Sequence, residues 1–351
     1  MSSAGWRNGI LSRKLYLHIG PPKTGTSALQ WFLRKQRDCL LQSGILYPED
    51  DAHNWSSHRR LGFALRQKRD PKNGDIPDFA TTLRHIREQI DRSQADTVIL
   101  SSEEFFVLRP ESVDRLIGAF SDFRTCAIFY ARRQDDAYVS SFTQRIKVPR
   151  RRLVDSIHSC LDHPPRMSRG LDYNQRARIW AKYLGKDRII PRLYDEVDDV
   201  RTDFMKLTGN DKLVELAETT EPESSNRSPT LEAIEHIRAF KIAIDNSRLY
   251  APASRTLIDH FSCGQKPGAL LSTDDRRRIL EYFRTSNEKF FSDFLGVENR
   301  FDPALLLSGP KAERVLVDTS NTVELVEELL LRRRKARLEE KVRARSGVAE
   351  T

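Results

Sequence analysis

The densest chemistry in the chain lies in Gly20-Pro21-Pro22-Lys23-Thr24-Gly25-Thr26-Ser27, where two glycines, a lysine and three hydroxyl side chains fall within one short loop. The loop follows the apolar run Leu15–Ile19 and precedes a helical pattern from Ser27 to about Ser43, closed by Gly44. Between a strand and a helix, such a loop turns backbone N–H groups toward an anion, and the helix N-terminus adds positive potential. The glycine separation matches the nucleotide-binding pattern GxxxxGK[ST], and Ser27 stands two positions after Gly25. The lysine is displaced: Thr26 follows Gly25, and Lys23 lies inside the loop. In the nucleotide pattern the lysine reaches the β- and γ-phosphates while the hydroxyl residue holds Mg²⁺. A lysine drawn back into the loop suits a shorter anion, such as a phosphosulfate. The apolar run 97–101 also continues into Ser102-Glu103-Glu104 instead of ending in an aspartate.

A second constellation follows the apolar run 125–131, in the order Arg132-Arg133-Gln134-Asp135-Asp136-Ala137-Tyr138-Val139-Ser140. A guanidinium at a strand's carboxyl edge grips phosphate bidentately. Ser140, on the next helix, adds a neutral donor. Arg133 competes with Arg132 for the contact, and Ser141 with Ser140.

These residues need a scaffold that brings strand ends together. Runs 15–19, 97–101 and 125–131 are short, continuous and apolar, as buried parallel strands are. Helical patterns occupy about 57–68, 80–94, 111–120, 136–147 and 174–184. The run 188–194 contains Pro191, which predicts an edge strand. The alternation predicts an α/β fold with a central parallel sheet flanked by helices. Beyond residue 200 the pattern gives helices at 229–245, 273–295 and 322–345 and no good strand, so a helical C-terminal portion is expected on the α/β domain.

The stretch GPPKTGTSALQ closely resembles the 5′-phosphosulfate loop of sulfotransferases that use 3′-phosphoadenosine 5′-phosphosulfate (PAPS), nearest to the bacterial and heparan-sulfate-type branch. Arg132 and Ser140 resemble that family's 3′-phosphate pair, an arginine at a strand end and a serine eight positions on. Gly44-Ile45-Leu46-Tyr47-Pro48, the run 98–105, the stretch 172–196 and Asn226-Arg227-Ser228 extend the likeness over roughly residues 14–296. The resemblance implies a P-loop-like three-layer fold, PAPS as donor without a metal, and a hydroxyl acceptor, most simply a carbohydrate. It implies cofactor binding by Lys23, Thr24, Gly25, Thr26, Ser27, Arg132 and Ser140. Lys23 also stabilises the leaving phosphate. His58, where bacterial members often carry histidine, is the first candidate for general base. Glu103 is second and His53 third. His18 reads as a core histidine, and His158, Cys160 and His163 as a polar loop instead of a metal site.

The corresponding division is an N-terminal extension at 1–13, a sulfotransferase domain at 14–300 with its helical portion from about 229, and a C-terminal segment at 301–351. The chain has 351 residues, 38% hydrophobic and 31% charged, enough to bury a sizeable core. Its net charge of +9 asks for an anionic partner. Segment 332–345 carries eight basic and two acidic residues, and 145–152 five basic and no acidic ones, which leaves the remainder at −2. A nucleic-acid module would need stacking aromatics or a recognition helix among those basic residues, and neither is present. No window is apolar enough for a membrane span, and the first residues lack a secretory apolar region. The four widely spaced cysteines read as reduced packing residues of a cytoplasmic protein. The competing functions are an ATP–Mg kinase or NTPase, and a PAPS-fold protein without turnover.

Overall fold

Five strands rich in Leu and Ile form one sheet in the computed structural model, which describes residues 13–50, 56–71, 73–148, 156–161, 170–221, 229–306 and 312–346. They are β1 (Lys14–His18), β2 (Ile45–Leu46), β3 (Thr97–Ser101), β4 (Arg124–Ala131) and β5 (Ile189–Leu193), in the spatial order β2-β3-β1-β4-β5. Every neighbouring pair is parallel. β1 sits at the centre, with His18 opposite Ser101 on one side and Ile128 on the other. β5 lies at an edge, as Pro191 predicts, because a proline donates no ladder bond.

The period of two along the strands sorts side chains onto two faces. Leu15 and Leu17, Val98 and Leu100, and Ala127 and Phe129 enter one core, with Leu61, Ile86, Ile90, Val113, Leu116 and Trp180 packed among them. Ile99, Ile128 and Tyr130 enter the other, against Leu29, Phe32 and Leu33. These partners come from α1 (Thr26–Lys35) on one face, and from α3 (Arg59–Arg66), α4 (Phe79–Ser93), α6 (Pro110–Gly118) and the helix Tyr173–Leu184 on the other. The arrangement has three layers, helices on either side of a buried parallel sheet. The single helix expected over 27–43 is two, α1 and α2 (Arg37–Gln42), divided at Gln36. The four-residue α5 (Glu103–Phe106) starts directly after β3, with Ser102 as its capping residue.

Tertiary contacts group the chain into two units, one comprising Met1–Arg133, Ser168–Ser224 and Phe283–Phe301, the other Gln134–Met167, Ser225–Tyr282 and Asp302–Thr351. The sheet belongs to the first. The second contains α7 (Gln134–Lys147), which carries Ser140. Within that unit α7 is held at both ends. Arg276 pairs with Asp135 and Asp136 near its start, and buried Lys241 donates to the carbonyls of Ile146 and Val148 near its finish.

Among the described residues four further α-helices fall where no helix was expected: Ile157–Leu161, which takes in His158 and Cys160 of the expected polar loop, Val200–Lys206, Asp211–Thr219 and Ser247–His260. The last contains Pro252. Its helical pattern is interrupted at that proline, since proline lacks an N–H. Cys39 and Cys263 are exposed, against the packing role expected of them. His53, His163, Asn226-Arg227-Ser228 and the basic residues 150–152 lie outside the described residues.

Gly62 shows how α3 is seated against the turn that bears Glu103. A Cβ there would stand 2.5 Å from Glu104 Cβ and 3.0 Å from Ser102 Oγ. Helix propensity alone favours alanine over glycine by about 1 kcal/mol. Overpacking against atoms this close to the backbone costs about 1–3 kcal/mol. The second effect wins, so Gly62→Ala is expected to lower the urea unfolding midpoint. A raised midpoint would contradict this packing.

Candidate active site

The loop between β1 and α1 is held open by backbone conformation. Lys23 (φ 71°) and Gly25 (φ 74°) both occupy the left-handed region. For a lysine that conformation is uncommon and strained. At Gly25 it is coupled to close packing, because a Cβ would lie 2.8 Å from Val200 Cγ2. Thr24 is buried, and its hydroxyl donates to the Pro21 carbonyl at 2.8 Å, so the loop is braced from within. Gly25 caps α1 without a side-chain hydrogen bond, and no acidic residue lies in the first turn. The first N–H groups of a helix lack intrahelical partners. Here they open onto a loop bearing an exposed lysine, which is the composition of an anion cradle.

Three strand ends converge on this loop in the first unit. From β3, Glu103 accepts a short hydrogen bond from the Thr26 hydroxyl. From β4, Arg132 reaches across so that its Nη1 stands 3.4 Å from the Lys23 carbonyl. Its guanidinium lies 5.3 Å from the Tyr194 ring centroid, and its Nε is 4.0 Å from the Asp195 carboxylate without a hydrogen bond. These contacts are weak individually, so the charge is positioned but not neutralised. The backbone of Arg132 is fixed more firmly. Its N–H donates to the Tyr173 hydroxyl at 3.2 Å, and that hydroxyl donates to the Arg132 carbonyl at 2.7 Å. Ser27 is exposed on the first turn of α1. Ser140 lies on α7 in the second unit, partly buried, and is described with that unit.

His58 is enclosed at the start of α3. Its N–H donates to the Ser101 carbonyl at 2.8 Å, and its Nδ1 accepts from the Ser101 N–H at 2.9 Å. This pair of bonds extends the end of β3 sideways and fixes the tautomer with the proton on Nε2. The ring meets Tyr47 edge-on at 5.0 Å. Burial, helped by the nearby Arg37 charge, pushes His58 down to about 3. A nitrogen already occupied by a backbone donor and a second one that carries a proton give this imidazole a clamping role.

Sequence reasoning took His18 for core packing, and it is fully buried. It is also part of a polar cluster beneath the loop. Its Nδ1 is 2.7 Å from Ser101 Oγ, and Gln30 donates to the same oxygen at 3.0 Å. The available signal was a polar residue at the end of each of two adjacent strands, His18 on β1 and Ser101 on β3. Among the described residues no group of three or more His, Cys, Asp or Glu side chains could hold a metal ion, and no helix is long and apolar enough to cross a membrane.

No protein-family model matches the chain. It is similar to an uncharacterised protein of Archaeoglobus fulgidus, 26% identical over 219 residues that span 58% of this chain and 55% of that relative's length. Among solved structures it is similar to a sulfotransferase from Alicyclobacillus acidocaldarius at 15% identity and a TM-score of 0.39, covering 66% of this chain and 93% of the other. A likeness of that size carries no functional weight. The function is therefore argued from the residues of the site.

Both buried histidines link stability to pH. Burial lowers His18, as it does His58, to about 3 from an ordinary value of 6.5. A depressed folded-state value means the unfolded chain binds the proton first, so stability is present above pH 6.5 and lost as pH falls toward 3. From pH 7 to 5 each histidine is expected to cost about 2 kcal/mol of unfolding free energy. Urea unfolding at the two pH values measures this, and equal midpoints would contradict the buried neutral state.

Proposed function

We propose that the protein is a sulfotransferase that moves a sulfuryl group from PAPS to a hydroxyl acceptor, most simply on a carbohydrate. The observation that carries this reading is the loop 20–27. It presents a left-handed lysine and an uncapped helix start to an anion, with Arg132 leaning over the same loop. A glycine at position 20 also fits, since a Cβ there would collide with His18 Nε2 at 2.7 Å.

The donor, when bound, supplies an activated sulfuryl group on a phosphate leaving group. Lys23 stabilises the negative charge that grows on that phosphate. Backbone N–H groups of Thr24, Gly25, Thr26 and Ser27 hold the 5′-phosphate, with the Ser27 hydroxyl as a further donor; Thr24 spends its hydroxyl inside the loop. Arg132 takes the 3′-phosphate. Glu103 is the better general base. It touches the loop through Thr26, whereas His58 has its free electron pair engaged by Ser101. His58 instead holds the strand end from which Glu103 projects. No step in this scheme requires a metal ion.

One observation favours the ATP–Mg alternative. Glu103 is a carboxylate at the end of the strand beside the loop, bonded to a loop hydroxyl, which is how nucleotide-hydrolysing sites hold Mg²⁺. Against it stand the threonine at position 26 and the lysine within the loop.

Transfer of labelled sulfate from PAPS to a panel of saccharide acceptors tests the proposal. Lys23→Ala is expected to lower turnover by at least about a hundredfold, and Glu103→Gln by about 10²–10⁴-fold. Undiminished turnover in either variant removes that residue from its role. Arg132→Ala should raise KM for PAPS while changing little for adenosine 5′-phosphosulfate, which lacks the 3′-phosphate.

A further inference from the structure

His18, like His58, is a buried histidine bonded to Ser101 whose second nitrogen has no hydrogen-bond partner among the described residues; that of His18 faces the loop. Its ring is enclosed between Tyr130 and Phe204, both edge-on, with centroids 6.1 and 5.8 Å away. Nδ1 faces Ser101 Oγ at 2.7 Å, and that oxygen already receives a hydrogen bond from Gln30. When the Ser101 hydroxyl donates to His18 Nδ1, the histidine proton resides on Nε2. Nε2 is buried and makes no hydrogen bond among the described residues. It lies 2.7 Å from the position a Cβ on Gly20 would take, a position that is also 3.0 Å from Thr26 Cγ2. The nitrogen thus sits between the first glycine of the loop and the first residue of α1, where the uncapped N–H groups begin.

An unsatisfied buried N–H costs about 1–3 kcal/mol, and folded chains rarely carry one without use. Burial beside aromatic rings keeps this imidazole neutral, so it offers a donor without a fixed charge. We propose that His18 Nε2–H is an anion-binding donor of the loop, reserved for an oxygen of the 5′-phosphate and held in its tautomer by Ser101 and Gln30. This assignment rests on the nucleotide reading of the same loop. It accounts for Gly20 being glycine, since any side chain there would cover the donor.

Calorimetry of the full-length protein tests it with two probes, adenosine 3′,5′-bisphosphate and adenosine 3′-monophosphate, the second lacking the phosphate that His18 would touch. Asparagine keeps an amide near the Nδ1 position and removes the loop-facing nitrogen; glutamine keeps a donor near Nε2. His18→Asn should weaken bisphosphate binding roughly ten- to a hundredfold while leaving the monophosphate unchanged. His18→Gln should recover most of the loss. Undiminished bisphosphate binding in His18→Asn, or a proportional loss of both ligands as a merely structural residue would give, overturns the assignment. If the asparagine variant does not fold, nitrogen NMR of the wild-type histidines decides. The His18 Nε2 resonance should move on bisphosphate addition, and a stationary resonance overturns the proposal. Wild-type protein that binds neither probe defeats the nucleotide reading itself. Inorganic sulfate titrated into the same sample then separates the two: a moving Nε2 resonance upholds His18 as an anion donor, and a stationary one removes it.

Discussion

The backbone N–H groups at the start of α1 are the constraint around which the first unit is arranged. A helix start needs acceptors for those groups, and here no side chain caps it and no acidic residue stands in its first turn. The loop spends its strain to keep the opening clear. Lys23 and Gly25 both take left-handed conformations, and Thr24 ties the loop to Pro21 instead of folding over the helix. The parallel register of β1 with β3 and β4 then delivers Glu103 and Arg132 to the same place. That register depends on the alternating side chains of the strands, which bury Leu15 and Leu17 on one face and Ile99, Ile128 and Tyr130 on the other. A carboxylate and a guanidinium thus both meet the loop at the start of α1.

Much of this was legible in the sequence because the signals are local. The strand–loop–helix order around Gly20 and Gly25, the apolar runs of β3 and β4, and Pro191 at an edge each follow from a few adjacent residues. What was hidden depends on residues far apart in the chain. His58 looks like a helix-start base in sequence, and only the fold shows its Nδ1 bonded to Ser101, forty-three positions away. His18 looks like core until Ser101 and Gln30 are placed around it. The helix Ser247–His260 escaped because Pro252 breaks its local pattern while tertiary contacts maintain it. Ser140 matched by spacing alone, and spacing did not reveal that α7 is fastened within a different unit from the loop.

The excess charge of the chain is likewise resolved by location. The last helix, Thr322–Ser346, carries eight basic and five acidic residues, and on it Arg333 pairs with Asp259 and contacts Thr256 of the helix Ser247–His260. Part of the basic excess is thus bound up in packing within the second unit. The charges at the proposed site are few, Lys23 and Arg132 beside Glu103.

The central claim is that the loop accepts a phosphosulfate-type nucleotide in preference to a nucleoside polyphosphate with Mg²⁺. Competition calorimetry of the full-length protein, with adenosine 3′,5′-bisphosphate titrated in the presence and absence of ADP and Mg²⁺, measures this directly. The account predicts binding of the bisphosphate that ADP–Mg²⁺ does not displace at equal concentration. Binding of ADP–Mg²⁺ alone, with no heat from the bisphosphate, would contradict it.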